Sequence, residues 1–298
     1  MSTLSFNDTI FAQEALRAFT AILAPINAFS RDFSSDARGK GDAILVPQIS
    51  ALTATTFNAT TANYQTAGGA VTHNTVNLNQ HNVISVDVTD LQFANSSAAR
   101  IDAMAAQAGR ALGAKVLENI FKLITTANFG AATVTTLEAN YTLSQVIALR
   151  QKLAQNNVPI EDCSVIFNPI VGAALLGSSN VLQAYAMGDN LAARDGSLGR
   201  KLVGFSPYET NLLPTSSTSL VAFAAHPDAI SVAMRYLAPQ APEAYLAVER
   251  VADPSGIVMG LRRSYNEAAG VHYIALECLY GCATGLTLGM ALGLKPGA

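Results

Sequence analysis

The sequence predicts an α+β fold, on three observations. A stretch free of charged side chains carries two β-patterned runs early in the chain, one long amphipathic helix follows, and strand patterns return at the end after a mixed insert. Strands and helices are grouped, not alternated as βαβ units, which separates this class from a parallel α/β sheet.

The long helix organises the rest. Ile101, Met104, Ala105, Ala108, Leu112, Val116, Ile120, Leu123 and Ile124 recur at three- and four-residue steps and set one apolar stripe along residues 95–126. Ser96 or Ser97 suits the first cap, and Asp102 lies near the positive end of the dipole. At 1.5 Å per residue the segment would run about 45 Å, a spine for other elements. Gly109 and Gly113 sit on neighbouring turns, where absent side chains let another backbone approach, and a strand is expected there.

Before the spine, residues 1–42 read as an arm. Ile10, Phe11, Leu16, Phe19, Ile22 and Leu23 form a modest amphipathic stretch closed by Pro25, and polar chain of mixed charge follows. Residues 43–86 contain no Asp, Glu, Lys or Arg. Ile44–Ile49 reads as one strand, and Val76, Leu78, Ile84, Val86 and Val88 share one parity in a second run over 75–89. Thr, Asn and Gly dominate the tip between them. Two strands alone are marginal in water, so this hairpin needs a partner.

After the spine, Thr142-Leu143-Ser144-Gln145 is a capping-box signature, and Asn168-Pro169 supplies an N-cap and first-turn proline for a helix reaching about Leu176. Residues 187–199 read as an exposed Gly/Asp/Arg loop. Strand patterns fall at 202–208, 220–225, 245–251, 257–265 and 271–279, the last two joined through a Gly-containing turn.

Composition narrows the function. Charged residues are 13% of the 298, about half the usual share for a soluble domain, so much of the surface is expected to be covered by other copies of the chain. A net charge of -3 with scattered Lys and Arg does not suit a dedicated nucleic-acid binder. Cys163, Cys278 and Cys282 lack disulfide-framework spacing and fit a reducing compartment. Asp8, Glu14 and Arg17 interrupt any leader-like apolar run. Gly281, Gly285, Gly289 and Gly293, spaced by four in a charge-free tail, resemble a membrane-helix motif, but the alternation of Leu286, Leu288, Met290, Leu292 and Leu294 suits a strand.

Chemistry is sparse. No phosphate loop or Gly-x-Ser-x-Gly elbow occurs. His73 and His81 would stand about 26 Å apart along a strand, and Cys278 and Cys282 about 13 Å apart, too far for one metal. Glu161 and Asp162 are adjacent and point different ways. No catalytic, cofactor or metal residue is assigned. Tyr64, Tyr208, Tyr265, Tyr273 and Tyr280 read as core or interface anchors, and Arg262-Arg263 as a basic pair suited to a phosphate backbone or an inter-subunit ion pair.

Several phrases together resemble the major capsid proteins of tailed bacteriophages, which share the Hong Kong 97-type fold. They are Gly41-Asp42-Ala43-Ile44-Leu45-Val46-Pro47, the charge-poor hairpin to Asp90, the helix over 97–126, the segment 162–176 with Asn168-Pro169, Leu202-Val203-Gly204-Phe205-Ser206-Pro207-Tyr208, and Gly256 to Gly281. The resemblance implies an N-terminal arm over 1–42 and an extended loop over 43–94. It implies a peripheral domain over 95–135 and 240–280, holding the spine helix and long strands, and an axial domain over 136–239 and 281–298. It also implies a homo-oligomeric icosahedral shell of pentamers and hexamers, assembled in a bacterial cytoplasm and becoming the virion. Such a shell encloses double-stranded DNA contacted non-specifically, with a separate scaffolding protein, a portal and decoration proteins as further partners and no membrane. Candidate inter-subunit contacts are Phe11, Phe19, Phe57, Tyr64, Val76, Arg262 and Arg263. No Lys lies between Lys40 and Lys115, so a lysine cross-link from the loop, as in some relatives, is not expected. The competing readings are an encapsulin-type compartment shell holding cargo enzyme, an enzyme using 187–199 as a lid, and a β-rich adhesin.

Overall fold

The computed structural model describes residues 8–30, 43–49, 57, 71–95, 98–177, 201–214, 219–253 and 256–296. The chain opens with helix α1 (Asp8–Ile22), and strands β1 (Ala43–Ile49), β2 (Val71–Asn77) and β3 (Gln80–Thr89) follow. A short helix α2 (Asp90–Asn95) leads into the spine, α3 (Ala98–Phe121), whose 24 residues span about 36 Å.

The expected strand against Gly109 and Gly113 is instead helix α1. A Cβ on Gly109 would fall 2.2 Å from the Ala15 carbonyl oxygen, and one on Gly113 would fall 2.3 Å from Ile22 Cγ2. The two glycines let a second helix come to backbone contact, and the small Ala12, Ala15, Ala105 and Ala108 buried at the seam serve the same end. The arm's amphipathic stretch is therefore spent inside the chain, where Phe11, Phe19 and Leu23 are buried with Leu112, Val116 and Ile120.

A second difference concerns the long second hairpin strand. Its single parity is real, but the ladder breaks at Leu78-Asn79. β2 pairs with β1, and β3 pairs with β11 (Val271–Thr284). The main sheet runs β3-β11-β10-β9, with β10 at Val258–Asn266 and β9 at Ala247–Ala252; β8 (Ile230–Arg235) joins the far end of β11. One face of this sheet, with Ile274, Leu276, Cys278, Tyr280, Leu261 and Met259, packs with α1 and α3 in the largest core. Tyr280 closes it: its hydroxyl accepts from Asn82 Nδ2 (2.9 Å) and Asn119 Nδ2 (2.7 Å), tying β3 and α3 to β11. Burial pushes that phenol up to about 12.

The second sheet runs β4-β12-β7-β5-β6, with ranges Val134–Thr135, Met290–Leu294, Leu220–Ala225, Ser164–Phe167 and Ser206–Glu209. β7 is buried at every position because it is covered on both faces. Phe223 meets Phe29 and Phe121 on one side, while Val221 and Ala224 meet α4 (Leu143–Gln155) and α5 (Pro169–Leu176) cores on the other. Both predicted helix starts are present. Thr142 and Gln145 form the reciprocal capping box, and Asn168 Oδ1 accepts from the Val171 amide at 2.9 Å with Pro169 in the first turn. The strand pattern over 202–208 resolves into a Leu202–Phe205 bridge followed by β6. The glycine-spaced tail is strand and turn, and among the described residues no helix is long and apolar enough to cross a membrane. The Gly/Asp/Arg loop over 187–199 and the Ser96/Ser97 cap lie outside the described residues.

Candidate inter-subunit surface

The β1–β2 hairpin stands on a small core of its own. Ile44, Val46, Val76 and Leu78 are buried against Ala233 of β8, with Ala283 of β11 packed beside them. Alternation does this: Ile44 and Val46 turn inward, and Ala43, Leu45 and Pro47 are exposed. The hairpin's root crosses β11 at Gly281, where a Cβ would lie 2.1 Å from the Asn77 carbonyl oxygen, and Asn74 Nδ2 donates to the Thr284 carbonyl at 2.7 Å. Pro47, which has no amide hydrogen, sits opposite His73 on a strand with one paired edge. The hairpin is fixed at its base, and its described pairing ends at Ile49↔Val71.

The candidate contacts fall in three groups. Phe11 and Phe19 lie in the chain's own core, as does Val76 at the hairpin root. Phe57 is 53% exposed, whereas Tyr64 is outside the described residues. Arg262 and Arg263, adjacent on β10, emerge on opposite faces of the sheet and meet different acids. Arg263 Nε is 3.0 Å from Asp8 Oδ1, which pins the start of α1. Burial holds the Asp8 carboxyl above its ordinary range despite the guanidinium beside it.

Arg262 Nη2 is 2.6 Å from Glu277 Oε1 and donates to the Leu237 carbonyl at 3.0 Å, with its guanidinium 5.6 Å from the Tyr245 ring centre. Glu277, only 4% exposed, also faces His81 Nε2 at 3.2 Å. One buried carboxylate thus joins β3, β10 and the connection before β9. Gly260 leaves the space for it: a Cβ there would come within 3.1 Å of Glu277 Cγ and 3.0 Å of the Tyr236 ring. Neither arginine is an open phosphate ligand. His81 is spent on Glu277, and no group of three or more potential metal ligands exists among the described residues. The thiols of Cys163, Cys278 and Cys282 are pushed up by burial to about 11, 12 and 11.

Sequence reading missed one surface. Among the described residues β3 is an edge strand paired with β11 alone, and between it and α3 runs an apolar groove of about 550 Å³ lined by Ile84, Val86, Met104 and Ala108. The alternation of β3 and the stripe of α3 were both legible, but their side-by-side placement depends on strand order, which the sequence does not state.

No protein-family model matches the sequence, and no curated protein does. Solved structures do match, over most of the chain. A Mycobacterium phage Che8 structure is similar at 18% identity, covering 91% of this chain and 90% of that one, with a TM-score of 0.62. The capsid structure of cyanophage P-SCSP1u is similar at 13% identity, covering 91% and 87%, with a TM-score of 0.61. A virus-like particle from Pyrococcus furiosus is similar at 11% identity, covering 95% and 96%, with a TM-score of 0.54. At such identities these likenesses define the fold. The chain has the α+β architecture of phage capsid proteins, the Hong Kong 97-type fold.

Proposed function

We propose that this protein is a structural one, the major capsid subunit of a tailed bacteriophage, self-assembling into an icosahedral shell around a double-stranded DNA genome. The observation that carries the reading is the likeness to phage capsid structures over about nine-tenths of the chain, combined with a charge-poor hairpin whose base is packed on a small core of its own. Residues 43–86 carry no charge to keep a projecting hairpin solvated, and two strands do not bury themselves. Covering it with neighbouring copies removes both difficulties, and closed symmetry repeats each modest contact many times. In this reading Phe57 and Tyr64 meet neighbouring subunits, residues 1–42, 43–94, 95–135 with 240–280, and 136–239 with 281–298 act as arm, loop, peripheral and axial units, and the packaged DNA is held without sequence preference.

An encapsulin-type compartment shell is the second reading, supported by the likeness to the Pyrococcus particle. The contents of purified particles separate the two. A phage capsid expressed with its packaging machinery yields nuclease-resistant DNA of defined length. A compartment yields a stoichiometric co-purifying enzyme and no protected genome, and that result would replace the first reading with the second.

A further inference from the structure

The charges of this chain are unevenly placed. At the end of the main sheet where β10 turns into β11, Asp87, Asp90, Glu243 and Glu267 are exposed and Glu249 is half-buried. Of the described cations at that end, Arg262 and Arg263 are bound to Glu277 and Asp8, and His272 faces Asp90 at 3.5 Å, which leaves Arg250. Asp90 also accepts from the Tyr265 hydroxyl at 2.7 Å, so its carboxylate is held in place. Two large apolar side chains stand out among these acids, Leu91 at 72% exposed and Leu246 at 57%. A leucine left protruding beside carboxylates is covered best by something apolar with a basic rim.

Such a surface exists on the same chain. The apolar groove between β3 and α3 is lined by α3 residues Met104, Ala108 and Ala111, and the same helical row continues to Lys115 and Lys122, both exposed. Arg110 is exposed on the neighbouring row. Among the described side chains of α3 the carboxylate beside them is Glu118, 3.5 Å from Lys115, and Asp87 adjoins the groove's β3 wall. An apolar knob in an acidic collar and an apolar groove beside a basic row are complementary in shape class and in sign. The groove's β3 wall runs directly into Asp87 and Leu91, so knob and groove adjoin on one chain, and the contact pairs two different surfaces of two copies.

We propose that the acidic end of the sheet docks on the α3 groove of a second copy, with Leu91 in the groove and Asp87 and Glu267 facing Lys115 and Lys122. This rests on the shell reading and names one of its contacts. Opposite charges across the contact steer encounter and set register, and salt screens them.

The test is a charge swap on the full chain, read by the yield of closed shells. Asp87→Lys with Glu267→Lys, and separately Lys115→Glu with Lys122→Glu, each lower shell yield at low salt at least tenfold. All four substitutions together recover it to within threefold of the unaltered protein. The four substituted positions are exposed, and circular dichroism with thermal melting confirms that each variant folds; for one that does not, the milder Asp87→Asn with Glu267→Gln takes its place. Unchanged yield in either pair overturns the proposal. So does loss without recovery in the fourfold variant, the outcome expected if the groove receives the 50–70 segment of a neighbour. Shells from the unaltered protein are the parallel control: their absence refutes the shell reading itself, whereas normal shells with no rescue refute only this contact.

Discussion

Replacing Gly109 by Ala sets two physical effects against each other. In an exposed helix the change is stabilising by about 1 kcal/mol, because Ala loses less backbone entropy and has the higher helix propensity. In this protein the new methyl would sit 2.2 Å from the Ala15 carbonyl oxygen, where ordinary contact begins at 3.4 Å. Both atoms belong to rigid helices, so no side chain can swing away, and α1 must retreat by about 1 Å. Overpacking of this kind costs about 1–3 kcal/mol. A gap of that width also forfeits a quarter to a half of the dispersion contact around the buried Phe11 and Phe19. The net expectation is a loss of about 1–2 kcal/mol, concentrated in the α1–α3 seam. Denaturant unfolding of the dissociated subunit measures the magnitude, and hydrogen exchange over residues 8–22 locates it. Ala103→Gly, at an exposed α3 position, calibrates the propensity term. A Gly109→Ala protein as stable as the parent, with α1 equally protected, would refute the close-packed helix pair.

Further outcomes follow from the same structure. Phe57→Ala is expected to leave subunit melting unchanged and to reduce shell assembly, as seen by light scattering; equal loss of both would count against a neighbour-facing hairpin. Glu277→Ala strands Arg262 in a buried site and is expected to destabilise by about 3–5 kcal/mol in chemical denaturation, with Glu277→Gln milder. The buried thiols of Cys163 and Cys278 should resist a disulfide reagent at pH 8 in the folded subunit and react on unfolding; fast reaction of either would contradict its burial. Asp8 has a raised carboxyl, so the native state binds its proton more tightly than the unfolded chain does, and its contribution declines as pH rises from 3.8 through the raised value. Asp8→Asn should therefore gain on the parent as pH rises from 3.8, and a gap that narrows with rising pH would reverse the sign.

Local rules carried far in this chain. Thr142, Gln145, Asn168 and Pro169 specify their helix starts through nearest-neighbour hydrogen bonds, and the α3 stripe and the parity of β3 specify their buried faces. Gly109 and Gly113 signalled a close approach but not what approaches, because a missing side chain admits a helix and a strand alike. The break between β2 and β3 was hidden for a related reason. Parity continues through Leu78, and only the crossing over Gly281, two hundred residues away, shows that the strands join different sheets. The Arg262-Arg263 pair looked like one basic site, yet neighbours on a strand face opposite ways, and each was claimed by an acid from a distant element. The acidic end and the α3 groove were invisible for want of strand order.

The central claim, a subunit that builds a closed shell, is tested most directly by negative-stain electron microscopy of the purified protein paired with light scattering across concentration. Uniform closed shells, or five- and six-fold rings that grow into them as concentration rises, are the result this account expects. A monomer or dimer at every concentration, with candidate scaffold proteins added, would contradict it.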